Sequence, residues 1–392
     1  MPRGELRNDQ HPPGGAVAGG GGTLTLRALL EGRARTTPAA PFVIFDGLDG
    51  RVTTRTYREF DREANRAAHL LARLGIGRGD TVTLLLSNCL EFLYLWFGAA
   101  KLGAVIVPVN TASSVSELEY LVVHSESRLI FTQADQADVA RQVRERCPRV
   151  EEVAICGAGA PSPAVDFGRL AAECPETAPE GPAPSPTDEA AILYTSGTTA
   201  RPKGVLVTHA NYLCAGETVA RAVRLTAADR HLVVLPLFHG NAQYYSTMSA
   251  LVTGASMALM ARFSASRYFD QAIAHRCTVS SLFAAPIRML LVQPRRPEHA
   301  VNDLRVVIFA QSVTPAQLAE WDQRFRAPLL QLWGMTETMG PPLINPLDGE
   351  RRNQSMGLPA PVTRPDSLTR AAVPSLVARL DRSSCAASRA CR

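Results

Sequence analysis

Nowhere in its 392 residues does the chain hold an apolar run long enough to cross a bilayer, and its N-terminus lacks the apolar core of a signal peptide. Residues Met1 to Gly22 are instead rich in glycine and proline and read as a flexible leader, so a cytoplasmic location is expected. Cysteine pairs at C-x-x-C spacing are also missing. The eight cysteines are scattered, which argues against a zinc site or a disulfide framework and for reduced thiols packed as small core residues. A basic stripe with interleaved aromatics is absent too. The net charge is +5, but residues 362–392 hold six arginines against two aspartates and so carry four of those five charges. The rest of the chain is near neutral, and no nucleic-acid partner is expected. No internal repeat is visible.

What is present is ordinary in bulk and specific in pattern. A hydrophobic content of 46% and a charged content of 20% suit a globular protein with a large core and more than one layered unit. From Thr56 onward, helical and strand periods alternate. Phe60, Ala64, Ala67, Leu71 and Leu74 fall at helical spacing, with Gly75 and Gly77 closing the helix. A strand is expected over Thr81–Leu86, a helix over Leu90–Leu102 and strands over Ala104–Val109 and Arg128–Thr132. Ser114 to Glu117 is a capping-box signature. Further apolar runs at Ala190–Tyr194, Leu232–Leu235, Ser256–Met260, Thr278–Phe283 and Leu304–Phe309 alternate with helical segments. One of those segments is Pro315–Phe325, where the proline suits a first turn. Such alternation predicts an α/β fold of parallel sheets flanked by helices, in two successive units of similar size. Residues 157–189, rich in Pro, Ala, Gly and acid, read as a connector rather than a core element.

The chemistry concentrates in Tyr194–Gly204, YTSGTTARPKG, directly after an apolar strand. Thr195, Ser196, Thr198 and Thr199 offer hydroxyl donors, Gly197 lets the backbone approach a ligand, and Lys203 adds a point charge suited to phosphate oxygens. Arg201 reads as solvated. A Walker A loop is excluded, because that motif runs Gly-Lys-Ser/Thr into a helix, whereas Pro202 precedes this lysine and Gly204 follows it. The plain alternative is a polar surface turn.

YTSGTTARPKG resembles the phosphate-binding loop of the adenylate-forming superfamily, which includes acyl-CoA synthetases, peptide-synthetase adenylation domains and luciferases. LPLFH (Leu235–His239) resembles that family's segment beside the acyl pocket, LWGMTET (Leu332–Thr338) its aromatic-Gly-x-Thr-Glu motif, and SMGLPAP (Ser355–Pro361) the Gly-x-Pro stretch that follows. The resemblance covers Thr23 to Pro361. In Ser87–Asn110 and in RPKGVLVTHANYLCAGE it is nearest to crotonobetaine/carnitine-CoA ligases. It implies the large N-terminal domain of these enzymes, with ATP, Mg2+ and CoA acting on a small-molecule carboxylic acid. Residues Thr195, Ser196, Gly197, Thr198, Thr199 and Lys203 would then hold the β- and γ-phosphates. Thr336 would bond the α-phosphate, Glu337 would coordinate Mg2+, and Trp333 beside Gly334 would pack on adenine. Lys203, Thr336 and Glu337 are the implied catalytic set. His239 matches the entrance of the acyl pocket and reads equally as a core-edge histidine. Tyr244 and Tyr245 read either as part of a cage for a quaternary ammonium group or as a pair with one ring buried and one exposed.

Two departures stand out. Ala200 replaces a usual glycine, and Ala310-Gln311-Ser312 occupies the place of a small-residue adenine loop. After Pro361 the family's ribose-binding aspartate, hinge and lysine-bearing lid domain are not found. The chain is therefore expected to be C-terminally truncated, and either impaired as a ligase or a non-catalytic ATP-binding remnant. Residues from Val362 onward read as an out-of-frame translation, since the shifted frame can spell GRPVPRGE and VVVRG where the family continues.

Overall fold

A computed structural model describes residues 24–157, 165–195 and 201–361. The leader, the tail from Val362, and Ser196, Gly197, Thr198, Thr199 and Ala200 of the candidate phosphate loop lie outside the described residues.

The described residues open with helix α1 (Leu26–Thr36) and a hairpin of β1 (Pro41–Asp46) and β2 (Val52–Thr56), none of which the sequence reading anticipated. A first run of alternating elements follows: α2 (Tyr57–Arg73), β3 (Thr81–Leu85), α3 (Leu90–Leu102), β4 (Val105–Pro108), α4 (Val115–His124), β5 (Leu129–Gln133), α5 (Ala137–Arg146) and β6 (Glu152–Cys156). β7 (Val165–Asp166), α6 (Phe167–Ala172), β8 (Glu189–Thr195) and β9 (Lys203–Thr208) complete it. The second run holds α7 (His209–Ala222), β10 (Arg230–Val233), α8 (Met248–Thr253), β11 (Ser256–Met260), α9 (Tyr268–Ala274), β12 (Val279–Phe283) and α10 (Ala284–Leu291). It ends with β13 (Val306–Ala310), α11 (Pro315–Phe325), β14 (Leu329–Met335), β15 (Gly340–Ile344) and β16 (Leu358–Pro359).

Two sheets result. One has seven strands in the order β7-β6-β5-β3-β4-β8-β9, parallel except for the final β8–β9 pair. The other has nine, ordered β16-β15-β14-β13-β12-β10-β11-β1-β2, parallel through its centre and antiparallel at both ends. The expected parallel sheets with flanking helices are thus present, but the units are not strictly successive. β1 from the N-terminus pairs with β11 and inserts into the second sheet.

Local chemistry explains most boundaries. β4 and β11 are buried at every position, as strands covered on both faces must be. Ser114 caps α4 as expected: its backbone N–H donates to Glu117 Oε2 at 2.8 Å, and Glu117 N–H donates to Ser114 Oγ at 3.3 Å. In α3, eleven of thirteen residues are buried, so this helix lies inside rather than on the surface. Gly98 lets it approach α2, because a Cβ there would stand 2.8 Å from the Ala67 Cβ and 2.9 Å from the Ala68 nitrogen. The six described cysteines are unpaired, and five are buried.

The stretch read as a plain connector needs correction. Within it, β7 pairs with β6, and Phe167 of α6 is buried edge-on to Phe131, ring centres 6.1 Å apart. The segment after α6 then straps across α2: Asn65 Nδ2 donates to the Glu176 carbonyl at 2.7 Å, and Arg66 pairs with the Glu176 carboxylate at 2.6 Å. Composition hid these contacts because a few anchored residues carry them.

Candidate active site

Five of the candidate segments sit at or just past the carboxyl end of a strand that has a parallel neighbour, whereas Lys203 opens the antiparallel edge strand β9 and Ser355–Pro361 runs through the antiparallel β16. Ser87 and Asn88 follow β3, Thr195 ends β8, and Leu235–His239 follow β10. Ala310 ends β13, and Thr336 follows β14. In open α/β sheets this is the end at which ligands bind.

The β8–β9 hairpin aligns Thr195 with Lys203 and Tyr194 with Gly204 across an antiparallel ladder. The Lys203 side chain is exposed and makes no ion pair or hydrogen bond among the described residues. Gly204 is required for packing: a Cβ there would meet Ile192 Cγ2 at 2.8 Å and the Tyr194 ring at 3.4 Å. Arg201, read as solvated, is exposed and also lies over Tyr120 of α4, its Cζ 5.5 Å from the ring centre.

At the end of β14, Trp333 is half-buried opposite Leu343 of β15. The chain then turns through a 3-10 segment, Thr336–Thr338. Thr338 Oγ1 accepts from the Met335 N–H at 2.9 Å and donates to the Gly340 carbonyl at 2.7 Å, which holds Thr336 half-buried and Glu337 exposed. Gly334 has no room for a side chain, since a Cβ would stand 2.5 Å from the Tyr245 hydroxyl and 2.8 Å from the Gly340 carbonyl. No hydrogen bond or ion pair among the described residues joins Thr195 or Lys203 to Thr336 or Glu337.

Ala310-Gln311-Ser312 turns away from β13 with Gln311 at φ 69°. That left-handed conformation is natural for glycine and costs a glutamine roughly 1–2 kcal/mol. The side chains of Gln311 and Ser312 are exposed, while their carbonyls are held by Gln331 Nε2 at 3.0 Å and Arg288 Nη2 at 2.9 Å. Gln331 itself escaped the sequence reading. It is 5% exposed, and its amide oxygen is buried without a partner among the described residues, an unmet acceptor beside this turn.

Asn88 was missed as well. From the loop after β3 it donates to the carbonyls of Leu235 at 3.1 Å and Met260 at 3.0 Å, and accepts from the Leu237 N–H at 2.7 Å. One buried amide therefore pins the LPLFH segment to the other sheet. No local pattern could have revealed it, since its partners lie 147 to 172 residues away.

His239 stands solvent-accessible beside Phe238, and desolvation by the surrounding protein lowers its pKa. Tyr244 and Tyr245 lie on a π-helical turn, Asn241–Thr247, and both rings are buried, 1% and 6% exposed, rather than one in and one out. The Tyr244 hydroxyl donates to Met339 Sδ at 3.7 Å, and burial, then the nearby Tyr245 and Glu337, pushes its pKa far up.

Among the described residues no cluster of three or more His, Cys, Asp or Glu could hold a metal by itself. A lone exposed carboxylate such as Glu337 fits Mg2+, which commonly takes one or two carboxylates and completes its shell with phosphate oxygens and water. No helix among the described residues is long and apolar enough to cross a membrane.

Comparison with known proteins adds to this geometry. The sequence matches the AMP-binding enzyme family over residues 30–369, eight residues beyond Pro361. It is 35% identical over 322 residues to a crotonobetaine/carnitine–CoA ligase of Salmonella enteritidis, covering 81% of this chain and 62% of that one. It is 34% identical to the corresponding ligase of Citrobacter koseri, covering 86% and 66%. The chain thus spans slightly under two thirds of these relatives' length. Its fold superposes on the inhibitor-bound N-terminal domain of FACL13 from Mycobacterium tuberculosis with a TM-score of 0.74 at 26% identity, covering 82% of this chain and 78% of that one.

Proposed function

Because the chain belongs to the AMP-binding enzyme family, we propose that the protein serves as an ATP-dependent acid–thiol ligase of the acyl-CoA synthetase type. The observation that carries the reading is that Thr195, Leu235–His239, Ala310 and Thr336 lie together at the carboxyl ends of strands with parallel neighbours. Similarity to crotonobetaine/carnitine–CoA ligases supports a small carboxylic acid as substrate and CoA as the thiol.

In the first step a carboxylate oxygen attacks the α-phosphorus of ATP. The bond to the bridging oxygen breaks and pyrophosphate leaves, giving an acyl-adenylate. A thiol then adds to the acyl carbonyl and AMP departs, leaving a thioester. The protein's work is to position the reactants and to neutralise charge. Lys203, with Thr195 and the hydroxyls of Ser196, Thr198 and Thr199, would hold the β- and γ-phosphates where Gly197 lets the backbone approach. Thr336 would donate to the α-phosphate. Trp333 and Gly334 would flank the adenine, with the Ala310–Ser312 turn, held in place by Gln331 and Arg288, bordering it. Glu337 would hold Mg2+, which supplies charge neutralisation on the phosphates when bound. His239, Tyr244 and Tyr245 would border the acyl group.

Pyrophosphate release with a panel of carboxylates, with and without CoA, tests this directly. Carboxylate-dependent release that yields a thioester when CoA is present supports the ligase. Mg·ATP binding without release supports a nucleotide-binding role alone, and absence of both overturns the site.

A further inference from the structure

The hairpin that carries Thr195 and Lys203 is gripped on both stems by one face of α4. Tyr120 and His124 lie four residues apart and so share that face. On the outgoing stem, the Tyr120 hydroxyl donates to the Pro202 carbonyl at 3.0 Å, and Arg201 stacks on the Tyr120 ring. On the incoming stem, His124 Nδ1 stands 2.7 Å from the Tyr194 hydroxyl, and the two rings meet edge-on at 5.6 Å. The Tyr120 and His124 rings are themselves 5.5 Å apart, so the contacts form one continuous ladder. Tyr194 reaches α4 by lying across Gly204, where any side chain would obstruct it. Among the described residues β9 is the edge strand of its sheet, with β8 as its single strand neighbour, so α4 supplies a second attachment.

We propose that Tyr120 and His124 are positioning residues of the nucleotide site. They lock the two stems in register, so that Thr195 and Lys203 are presented to the phosphate chain before it arrives. This rests on the ATP-binding reading above. The physical basis is preorganisation: a hairpin that must be ordered on binding weakens the ligand by the cost of that ordering. α4 keeps its own support, the Ser114–Glu117 capping box, when Tyr120 is changed.

The test uses the full chain, with calorimetric titration of Mg·ATP and hydrogen exchange of the backbone amides of residues 203–208 in the free protein. Tyr120→Phe keeps the ring and the Arg201 stack and removes one hydrogen bond. It should weaken Mg·ATP about three- to tenfold and speed exchange in β9, with the melting temperature nearly unchanged. Tyr194→Phe should do the same from the other stem. A lowered melting temperature with unchanged affinity and unchanged β9 exchange in both variants would mean a merely structural contact and overturn the proposal alone. Absence of Mg·ATP binding by the wild type would overturn the nucleotide reading and this proposal with it.

Discussion

Two lysines stand among the 41 lysines and arginines, and they occupy opposite settings. Lys101 lies in the last turn of α3 with its side chain wholly buried, its Nζ 3.1 Å from Glu31 of α1 and 2.7 Å from Asp61 of α2. Its own carbonyl accepts from Arg27 Nη1 at 3.3 Å. Three helices thus meet on one ammonium group. Lys203 lies exposed on an edge strand with no partner among the described residues. The same side chain is in one place fully used by the fold, and in the other left for something the fold does not supply. A charge that has been desolvated needs its partners inside; a charge that stays in water can wait for a ligand.

The largest expected effect bears on stability. Lys101→Met leaves Glu31 and Asp61 without their shared partner and should cost about 3 kcal/mol or more in urea denaturation. Lys203→Met should stay within about 0.5 kcal/mol. Equal losses from the two variants would break the contrast.

Histidines sharpen it. His231 and His209 are buried, and desolvation lowers the pKa of each from 6.5 to about 4. Each is thus kept neutral in the folded state while the unfolded chain still takes up a proton. Stability should be full above pH 6.5, fall as the pH drops from 6.5 toward 4, and lose on the order of 3 kcal/mol per histidine across that window. Replacing His231 with Gln should flatten this part of the pH–stability curve by about one proton, whereas replacing the accessible His239 should alter it less. A curve identical to the wild type after the His231 change would remove the assignment.

At the proposed nucleotide site, Lys203→Ala should weaken Mg·ATP about tenfold or more, and Glu337→Ala should weaken it less while reducing its dependence on Mg2+. Neither should lower the melting temperature, and unchanged affinity in both would discard the site residues. The smallest effect is a single mass increment. With Lys101 sealed, a limiting amine reagent should modify Lys203 as its one ε-amine target, and saturating Mg·ATP should protect it. Modification of Lys101 in the folded protein would show that the buried cluster opens.

Much of the scaffold was legible because its signals are local. α3 at Leu90–Leu102, α11 at Pro315–Phe325 and β11 at Ser256–Met260 run over the residues their apolar patterns mark out, and the Ser114 cap forms as its side chains dictate. The pairing of β1 with β11 was not legible, because the partners lie more than 200 residues apart. At the candidate site, Trp333, Gly334, Thr336 and Glu337 were picked out by residue type and order. Asn88, Tyr120 and Gln331 were not, since an isolated amide or phenol carries no periodic or spacing signal. Arg201 is exposed, as its type suggested, but its contact with Tyr120 was not legible for the same reason. Nothing near a guanidinium in a polar loop announces the aromatic ring that a distant helix brings beneath it.

By itself the sequence determined which groups could meet a phosphate. Hydroxyls, glycines and a lysine in one short turn after an apolar strand are a property of neighbouring residues, and so is the helix-and-strand rhythm that sets such a turn at a sheet's carboxyl end. Only the tertiary structure decided which of two chemically identical lysines is free to do it. Lys101 is neutralised by carboxylates 70 and 40 residues away. Desolvation depends on what distant segments bring against a side chain, and that information exists only once they have packed.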